Sequence, residues 1–129
     1  MTTPTLFIMR EAQIELQPGE RYAGLVLDAE GHASHHLVLL PGHAESVTWS
    51  AAKEWAGTAG GELPTRQEQS LLFANFKSEF EPHWYWSAQE YEDDSSYAWV
   101  QIFTNGYQLS LSESFEGRAR AVRLIQLTA

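Results

Sequence analysis

Three stretches in the first third of the chain have the hydrophobic pattern of β-strands. Residues 12–16 alternate between apolar and polar positions, whereas residues 22–28 and 36–40 are mostly apolar runs. Residues 29–31, Ala-Glu-Gly, have the composition of a turn between the two runs, and Pro-Gly at 41–42 ends the second run. The pattern predicts a β-rich N-terminal region.

The middle of the chain has the spacing of two short helices. Ser46 is placed to cap a first helix that we expect to continue to about residue 55, and Gly60-Gly61 then breaks it. Thr65 and Glu68 have the spacing of a capping box, in which the hydroxyl and the carboxylate each accept a backbone N–H from the other residue. This signal predicts a second helix that ends near Phe76.

The last third of the chain returns to β-structure. Strands are predicted over 84–88, 97–103, 107–111 and 119–127, and Asn105-Gly106 is a strong hairpin signal between the second and third of them. Strands before and after a helical pair predict an α+β fold, with two short helices packed against mainly antiparallel sheets.

A two-residue turn at Asn105-Gly106 would set the register of this hairpin. It would pair Phe103 with Gln108, Ile102 with Leu109 and Val100 with Leu111. Side chains alternate across a strand, so the two faces differ in character. The predicted core face carries Ala98, Val100, Ile102, Leu109 and Leu111. The opposite face carries Tyr97, Trp99, Gln101, Phe103, Gln108, Ser110 and Ser112.

Composition limits the classes of function. The chain has 129 residues, 43% of them apolar and 19% charged, which predicts one globular domain. With no cysteine, a disulfide scaffold, a thiolate zinc site and a cysteine nucleophile are excluded. Eight basic residues against 17 acidic ones give a net charge of −9, which argues against phosphate-neutralising nucleic-acid binding and against an anionic membrane surface. We detect neither a signal peptide nor a spanning segment, and expect a cytoplasmic origin.

Charge and aromatic residues concentrate in one interval of the sequence. Between Lys77 and Arg118 there is no Lys or Arg, while eight acidic residues and ten of the aromatic residues fall there. Such a surface attracts cationic groups through its field and through cation–π contacts. Alternatively, Trp99 and Phe103 pack beneath another layer and the acidic run only solvates the protein. We predict a ligand-binding surface, the acidic–aromatic face, made of Tyr91, Asp93, Asp94, Tyr97, Trp99, Gln101, Gln108 and Ser110.

Other clusters of polar residues support no catalytic or metal site. The four histidines between residues 32 and 43 lack a complete ligand set on a strand, and the carboxylates of residues 90–94 lack the spacing of a calcium loop. Ser87 and His83 have no nucleophile-elbow context. We predict a protein without metal, cofactor or enzymatic activity. Three arginines lie close together near the end of the sequence: Arg118, Arg120 and Arg123. They form either an anion clamp or, as we prefer, ion pairs with helix carboxylates such as Glu68.

Five fragments within residues 46–125, taken in order, resemble a known family. They are Trp49-Ser50-Ala51-Ala52, Leu63-Pro64-Thr65-Arg66-Gln67-Glu68, Tyr85-Trp86-Ser87-Ala88, Ala98-Trp99 and Arg118-Ala119-Arg120-Ala121-Val122-Arg123. In combination they resemble the Lcl C-terminal domain family, short members of which are frequent in bacteriophages and prophages. The resemblance implies a C-type-lectin-like fold related to formylglycine-generating enzymes. The catalytic cysteines of those enzymes have no counterpart here, and the acidic loops argue against a sulfated ligand.

The resemblance divides the single predicted domain, 1–129, into an N-terminal β extension over 1–45 and a family-like core over 46–125. It implies a non-enzymatic binding module of phage or prophage origin that recognises a host protein or a surface ligand. The alternative is a phage-encoded inhibitor of a host defence system. We expect a protein partner, cationic in character, with a carbohydrate as a further option, in the host cytoplasm or the virion. The apolar N-terminal stretches 7–9 and 36–40 predict a dimer or trimer.

Overall fold

Two mainly antiparallel sheets and two short helices make up the α+β fold seen in the computed structural model, which describes residues 3–7 and 11–127. This class agrees with the sequence-based prediction. The elements in chain order are β1 Arg21–Leu27, β2 Ala33–Leu39, β3 Ala44–Val47, α1 Trp49–Thr58, α2 Arg66–Phe76, β4 Trp84–Glu90, β5 Tyr97–Ile102, β6 Gln108–Ser112, β7 Gly117–Ala119 and β8 Val122–Gln126.

The strand order joins the two ends of the chain. The smaller sheet has the order β1-β2-β8, and the larger sheet has the order β3-β7-β4-β5-β6. Because β2 pairs with β8, with Val38 opposite Arg123, the predicted N-terminal extension shares a sheet with the last strand. In the larger sheet, β4 and β7 run parallel, with Tyr85 opposite Arg118.

Two of the predicted strands differ in the structure. Residues 12–16 form no strand and are mostly exposed, so their alternation faces no core. The predicted strand 119–127 is divided into β7 and β8, because the chain passes from one sheet to the other around Arg120. The guanidinium of Arg120 is buried and donates to the carbonyl oxygens of Leu40 and Glu79, at 2.9 and 2.7 Å. Of the two stretches from which an oligomer was predicted, 36–40 is buried, because β2 pairs with β1 on one side and with β8 on the other, so it offers no free edge. Of the stretch 7–9, residues 8 and 9 lie outside the described residues.

The helix caps were predicted with mixed success. Thr48, not Ser46, caps α1, and its hydroxyl accepts the N–H of Ala51 at 3.3 Å. Ser46 instead lies in β3 with a φ of 54°. In α2 the predicted capping box is confirmed, because Thr65 and Glu68 exchange both side-chain-to-backbone bonds at 2.9 and 3.2 Å. Neither helix is long and apolar enough to cross a membrane.

The hairpin between β5 and β6 has a longer turn than predicted. Val100 pairs with Leu109, not with Leu111, so the predicted register is wrong by two residues. The loop has four residues, 103–106, because Phe103 leaves the ladder and stacks on Phe80 with ring centroids 3.9 Å apart. A shift of two residues keeps the side chains that remain paired on their predicted faces of the sheet. Leu109, however, was predicted on the core face and is 36% exposed.

Helix α2 packs between the two sheets and is tied to each by side-chain amides. Towards the larger sheet, Gln69 is almost fully buried and donates to the carbonyl oxygens of Tyr85 and Trp86, both at 3.2 Å. Buried amides need such partners because an unpaired one loses its hydration without compensation. Part of the contact between α2 and the larger sheet thus consists of hydrogen bonds to the backbone of β4 and not of apolar packing.

The contact of α2 with the smaller sheet follows the same scheme. Asn75 donates to the carbonyl oxygen of Ala23 at 2.7 Å, and Gln67 donates to that of Leu27 at 2.9 Å. Between helix and strand, the fully buried Leu72 joins a core with Leu37 and Leu39 of β2. The helix therefore fixes both sheets at once.

Two glycines provide a matched test of how closely the segment after α1 packs against β8. A Cβ at Gly61 would lie 2.2 Å from the carbonyl oxygen of Val122, whereas a Cβ at Gly57 in α1 would meet nothing within 4 Å. We expect Gly61→Ala to lower the free energy of unfolding by about 1–3 kcal/mol through overpacking. Gly57→Ala should raise it by about 0.5–1 kcal/mol through helix propensity. Urea denaturation followed by circular dichroism measures both, and equal stabilities for the two variants would contradict the packing described.

Candidate functional site

The loop between β4 and β5, residues 91–96, is held in one conformation by its own hydrogen bonds. The N–H of Tyr91 donates to the carbonyl oxygen of Tyr97 at 2.8 Å, and the N–H of Tyr97 donates to that of Asp94 at 3.0 Å. Ser96 donates its N–H and its hydroxyl to the carboxylate of Asp94, at 3.0 and 2.7 Å, and these bonds lower the pKa of Asp94. We call this segment the acidic loop.

The acidic loop presents a dense negative charge to solvent. Glu92, Asp93 and Asp94 are exposed, and Tyr97 beside them is 38% exposed. The charge of Asp93, above all, raises the pKa of the Tyr91 hydroxyl. Carboxylates held this close on a fixed backbone produce a local negative potential that attracts cationic groups.

Trp99 lies beside the acidic loop, and its indole already contacts other residues of the chain. Its indole N–H donates to Glu92 at 3.0 Å, a bond that lowers the pKa of this carboxylate. The ring of Tyr91 meets it edge-on at 5.4 Å. The guanidinium of Arg66, at the first turn of α2, lies 3.5 Å from the Trp99 ring centroid. One face of the indole is therefore covered by a cation of the chain itself.

The two glutamines of the acidic–aromatic face support the helix. Gln101 is fully buried and donates to the carbonyl oxygen of Gln69 at 2.7 Å. Gln108 donates to Gln101 and to the carbonyl oxygen of Arg66, at 2.9 and 2.8 Å, and accepts from the Arg66 side chain at 2.9 Å. Gln101 thus has no exposed surface for a ligand, and Gln108 orients Arg66. Ser110, opposite Trp99 on β6, is half-buried.

The structure therefore places five of the eight predicted residues in or beside the acidic loop, and a sixth, Ser110, lies opposite Trp99. The five are Tyr91, Asp93, Asp94, Tyr97 and Trp99. Sequence reasoning missed Arg66, because the absence of Lys and Arg from residues 78–117 does not show which side chains of other elements lie over that interval. The available signal was its position between Thr65 and Glu68, because the capping box places residue 66 at the start of the helix. Which way that residue faces depends on how α2 packs.

The four clustered histidines each contact a different partner. His35 of β2 is buried, and its Nε2 lies 2.6 Å from Glu68 of α2, while its Nδ1 lies 2.9 Å from the hydroxyl of Ser34. His36 pairs with the Tyr22 hydroxyl at 2.8 Å. Within residues 3–7 and 11–127, no group of three or more acidic or histidine side chains is placed to hold a metal ion.

The arginines near the C-terminus do not converge on an anion. Arg118 pairs with Glu45 at 2.9 Å, and Arg123 pairs with Glu20 at 2.9 Å, so each guanidinium joins a different segment. The hydrogen bond from Arg123 lowers the pKa of Glu20. The predicted pairing of an arginine with Glu68 is wrong, because His35 takes that carboxylate. The three side chains stabilise the fold.

A small polar cavity of about 160 Å³ lies where β4 and β7 begin, beyond the acidic–aromatic face. Ser87, considered above as a nucleophile, is fully buried and its hydroxyl accepts the N–H of Gln89 at 3.1 Å, whereas His83 is exposed at the cavity. The cavity is lined by Glu45, Ser46, His83, Trp84, Glu116, Gly117 and Arg118.

No family model matches this chain, and a search of curated proteins finds no significant match. The resemblance to the Lcl C-terminal domain family thus stays a prediction from the fragments that carry it. The candidate site is argued from its own geometry.

Glu113 lies under the acidic loop and carries an unpaired buried oxygen. Its backbone N–H donates to the carbonyl oxygen of Ser96 at 2.9 Å, which places its side chain near Glu90. One carboxylate oxygen of Glu113 is buried without a hydrogen-bond partner in the described structure. Burial, and then the charge of Glu90, raise the pKa of Glu113 above its ordinary value of 4.5.

This raised pKa predicts the pH dependence of stability. The folded state holds the proton of Glu113 more tightly than the unfolded state does. The linked stability is therefore fully present below pH 4.5 and is lost as the pH rises through the folded pKa. Glu113→Gln, which is neutral at every pH, should raise the melting temperature at pH 7 and flatten this loss. The exposed Glu30→Gln is the control, and a Glu113→Gln variant that melts lower than wild type at pH 7 would contradict the assignment.

Proposed function

We propose that this protein is a non-enzymatic binding module that recognises a positively charged region of a protein partner through the acidic loop and Tyr97. The observation that carries the proposal is the preorganised loop. Its exposed carboxylates are held by backbone bonds across Tyr91, Asp94 and Tyr97 and by the Ser96 clasp. A site that is already ordered loses little conformational entropy on binding.

The charge of the loop determines how a partner approaches. Glu92, Asp93 and Asp94 are consecutive and exposed on a chain of net charge −9. Complementary charge mainly raises the association rate and makes it depend on salt. A cationic partner should therefore associate quickly at low ionic strength and more slowly as salt is added.

The aromatic residues supply the contact area that keeps the partner bound. Tyr97 is exposed beside the carboxylates, whereas Trp99 is covered on one face by Arg66. We therefore assign the anchoring role to Tyr97 and a supporting role to Trp99. Partly exposed aromatic side chains lose less conformational entropy on binding than long flexible ones do, and they often dominate binding energy.

The resemblance to the Lcl C-terminal domain family supports a phage or prophage origin and a host partner. A second candidate is the inhibitor of host defence, which the same loop favours. A fixed row of carboxylates can occupy a groove whose basic residues otherwise neutralise nucleic-acid phosphates. Both candidates use the acidic loop, and they differ in whether bound nucleic acid competes with the protein for its partner.

Capture from an extract of an infected or lysogenic host, with wild type and variants side by side, tests the proposal. The charge reversal Asp93→Lys with Asp94→Lys should lower the association rate of the purified captured partner by about tenfold or more at low salt. Tyr97→Ala should instead raise the dissociation rate, because it removes the anchor. Biosensor measurements at several salt concentrations separate the two effects.

The control variant has the same net charge as the double reversal in the acidic loop, but its substitutions lie in a different part of the chain. Glu30→Lys with Asp28→Lys alters the β1–β2 turn by the same total charge, and it should leave the association rate nearly unchanged. Circular dichroism confirms that each variant is folded. A partner that binds all of these variants with wild-type rates would refute the acidic loop as the site.

A further inference from the structure

The two sheets end in four edge strands, which differ in how their free backbone groups are covered. The edges are β1 and β8 in the smaller sheet and β3 and β6 in the larger one. An exposed edge offers unpaired N–H and C=O groups to any other strand, and natural proteins usually block it with charge, bulges, side chains or another segment. A comparison of the four edges shows which one is left open.

The edge of β1 is blocked by helix α2 and by irregular pairing. The carbonyl oxygens of Ala23 and Leu27 accept amide N–H groups from Asn75 and Gln67, at 2.7 and 2.9 Å. The register also shifts on both sides of the central β1 residues, between Tyr22 and Gly24 and again before Leu27. A second strand would have to displace these amides.

The edge of β8 is covered at Val122, and the edge of β3 is short and irregular. Glu62 exchanges both backbone hydrogen bonds with Val122 at 2.8 and 2.9 Å, and Arg123 of β8 donates to the carbonyl oxygen of Glu15 at 2.9 Å. In the four-residue β3, Glu45 is charged and paired with a guanidinium, and Ser46 turns the backbone to a φ of 54°.

Strand β6 has none of these devices on the described part of the chain. The bonds from Ile102 to Tyr107 and from Glu113 to Ser96 fix the alternation of the ladder with β5. Residues 107, 109, 111 and 113 therefore turn their backbone groups towards β5, and Gln108, Ser110 and Ser112 turn theirs outward. Among these outward groups, the Ser112 carbonyl accepts from Phe115, while the others have no partner among the described residues.

The composition of β6 fits a neutral, partly apolar neighbour. Residues 107–112, Tyr-Gln-Leu-Ser-Leu-Ser, carry no charge on a chain of net charge −9. Tyr107 is 69% exposed and Leu109 is 36% exposed. Next to Gln108 lies the guanidinium of Arg66, which disfavours a cationic strand at this position.

We propose that β6 pairs antiparallel with β6 of a second copy of this chain, about a two-fold axis at Ser110. In this register Ser110 lies opposite Ser110, Gln108 lies opposite Ser112, and Leu109 lies opposite Leu111 of the second copy. This register pairs all three outward-facing residues of β6, whereas shifting one strand by two residues would leave one of them unpaired. Residues 108–112 are self-complementary and carry no charge of their own, so this segment of two acidic chains pairs without opposing carboxylates, and the larger sheets join into one.

Sedimentation equilibrium of the full chain over a range of concentrations tests this assignment. Wild type should show a dimer with twice the mass of one chain. Ser110→Pro should abolish it, because the ring removes an outward N–H and blocks the approach without breaking a bond to β5. Ser110→Ala keeps the backbone and should retain the dimer. Leu109→Lys should weaken dimerisation by about tenfold or more, since each lysine would face Leu111 of the second copy.

Leu27→Lys is the matched control, because Leu27 is as exposed as Leu109 but lies on the β1 edge. It should leave the dimer intact. A wild-type monomer at every concentration, or a dimer that resists Leu109→Lys and is broken by Leu27→Lys, would overturn the proposal. If circular dichroism shows that Ser110→Pro is unfolded, the comparison of Leu109→Lys with Leu27→Lys decides.

Discussion

The buried carboxylate of Glu68 is the constraint on which the arrangement of the molecule depends. One of its oxygens accepts the N–H of Thr65 and so begins helix α2, and the other lies 2.6 Å from His35 of the smaller sheet. A carboxylate this deeply buried is tolerated only when both oxygens have such partners. The next residue, Gln69, donates to the backbone of the larger sheet. Two adjacent side chains thus determine where the helix starts and how it lies against both sheets.

The candidate site follows from that position of α2. Because the helix begins at Arg66, its guanidinium reaches Trp99, and Gln108 and Gln101 connect it back to the helix. Trp99 in turn orients Glu92 at the edge of the acidic loop. The exposed carboxylate of Glu92 is therefore connected to the core through a continuous set of polar contacts. Because Arg66 covers one face of Trp99, we assign the proposed anchoring role to the exposed Tyr97 and not to the larger indole.

Local signals in the sequence predicted local structure well. The capping box of α2 is a short-range pattern and is confirmed. The alternation of exposed and buried side chains in β5 appears only over residues 97–100, since Gln101 is buried. The cap of α1, predicted at Ser46 and found at Thr48, was a local error. Other errors arose where a distant contact decides. Phe103 leaves its strand to stack on Phe80, which lengthens the hairpin, and the buried Arg120 divides the last strand. The polar face of β5 was recognised, but its glutamines serve the helix, since only the packing of α2 shows what lies above them.

Native-state hydrogen exchange tests most directly whether α2 joins both sheets into one cooperative unit that supports the site. Protected amides of β2 in the smaller sheet and of β4 and β5 in the larger sheet should open with one common free energy. Glu68→Gln should lower that free energy by the same amount in both sheets. Separate opening free energies for the two sheets, or a variant that weakens only the smaller one, would contradict this account.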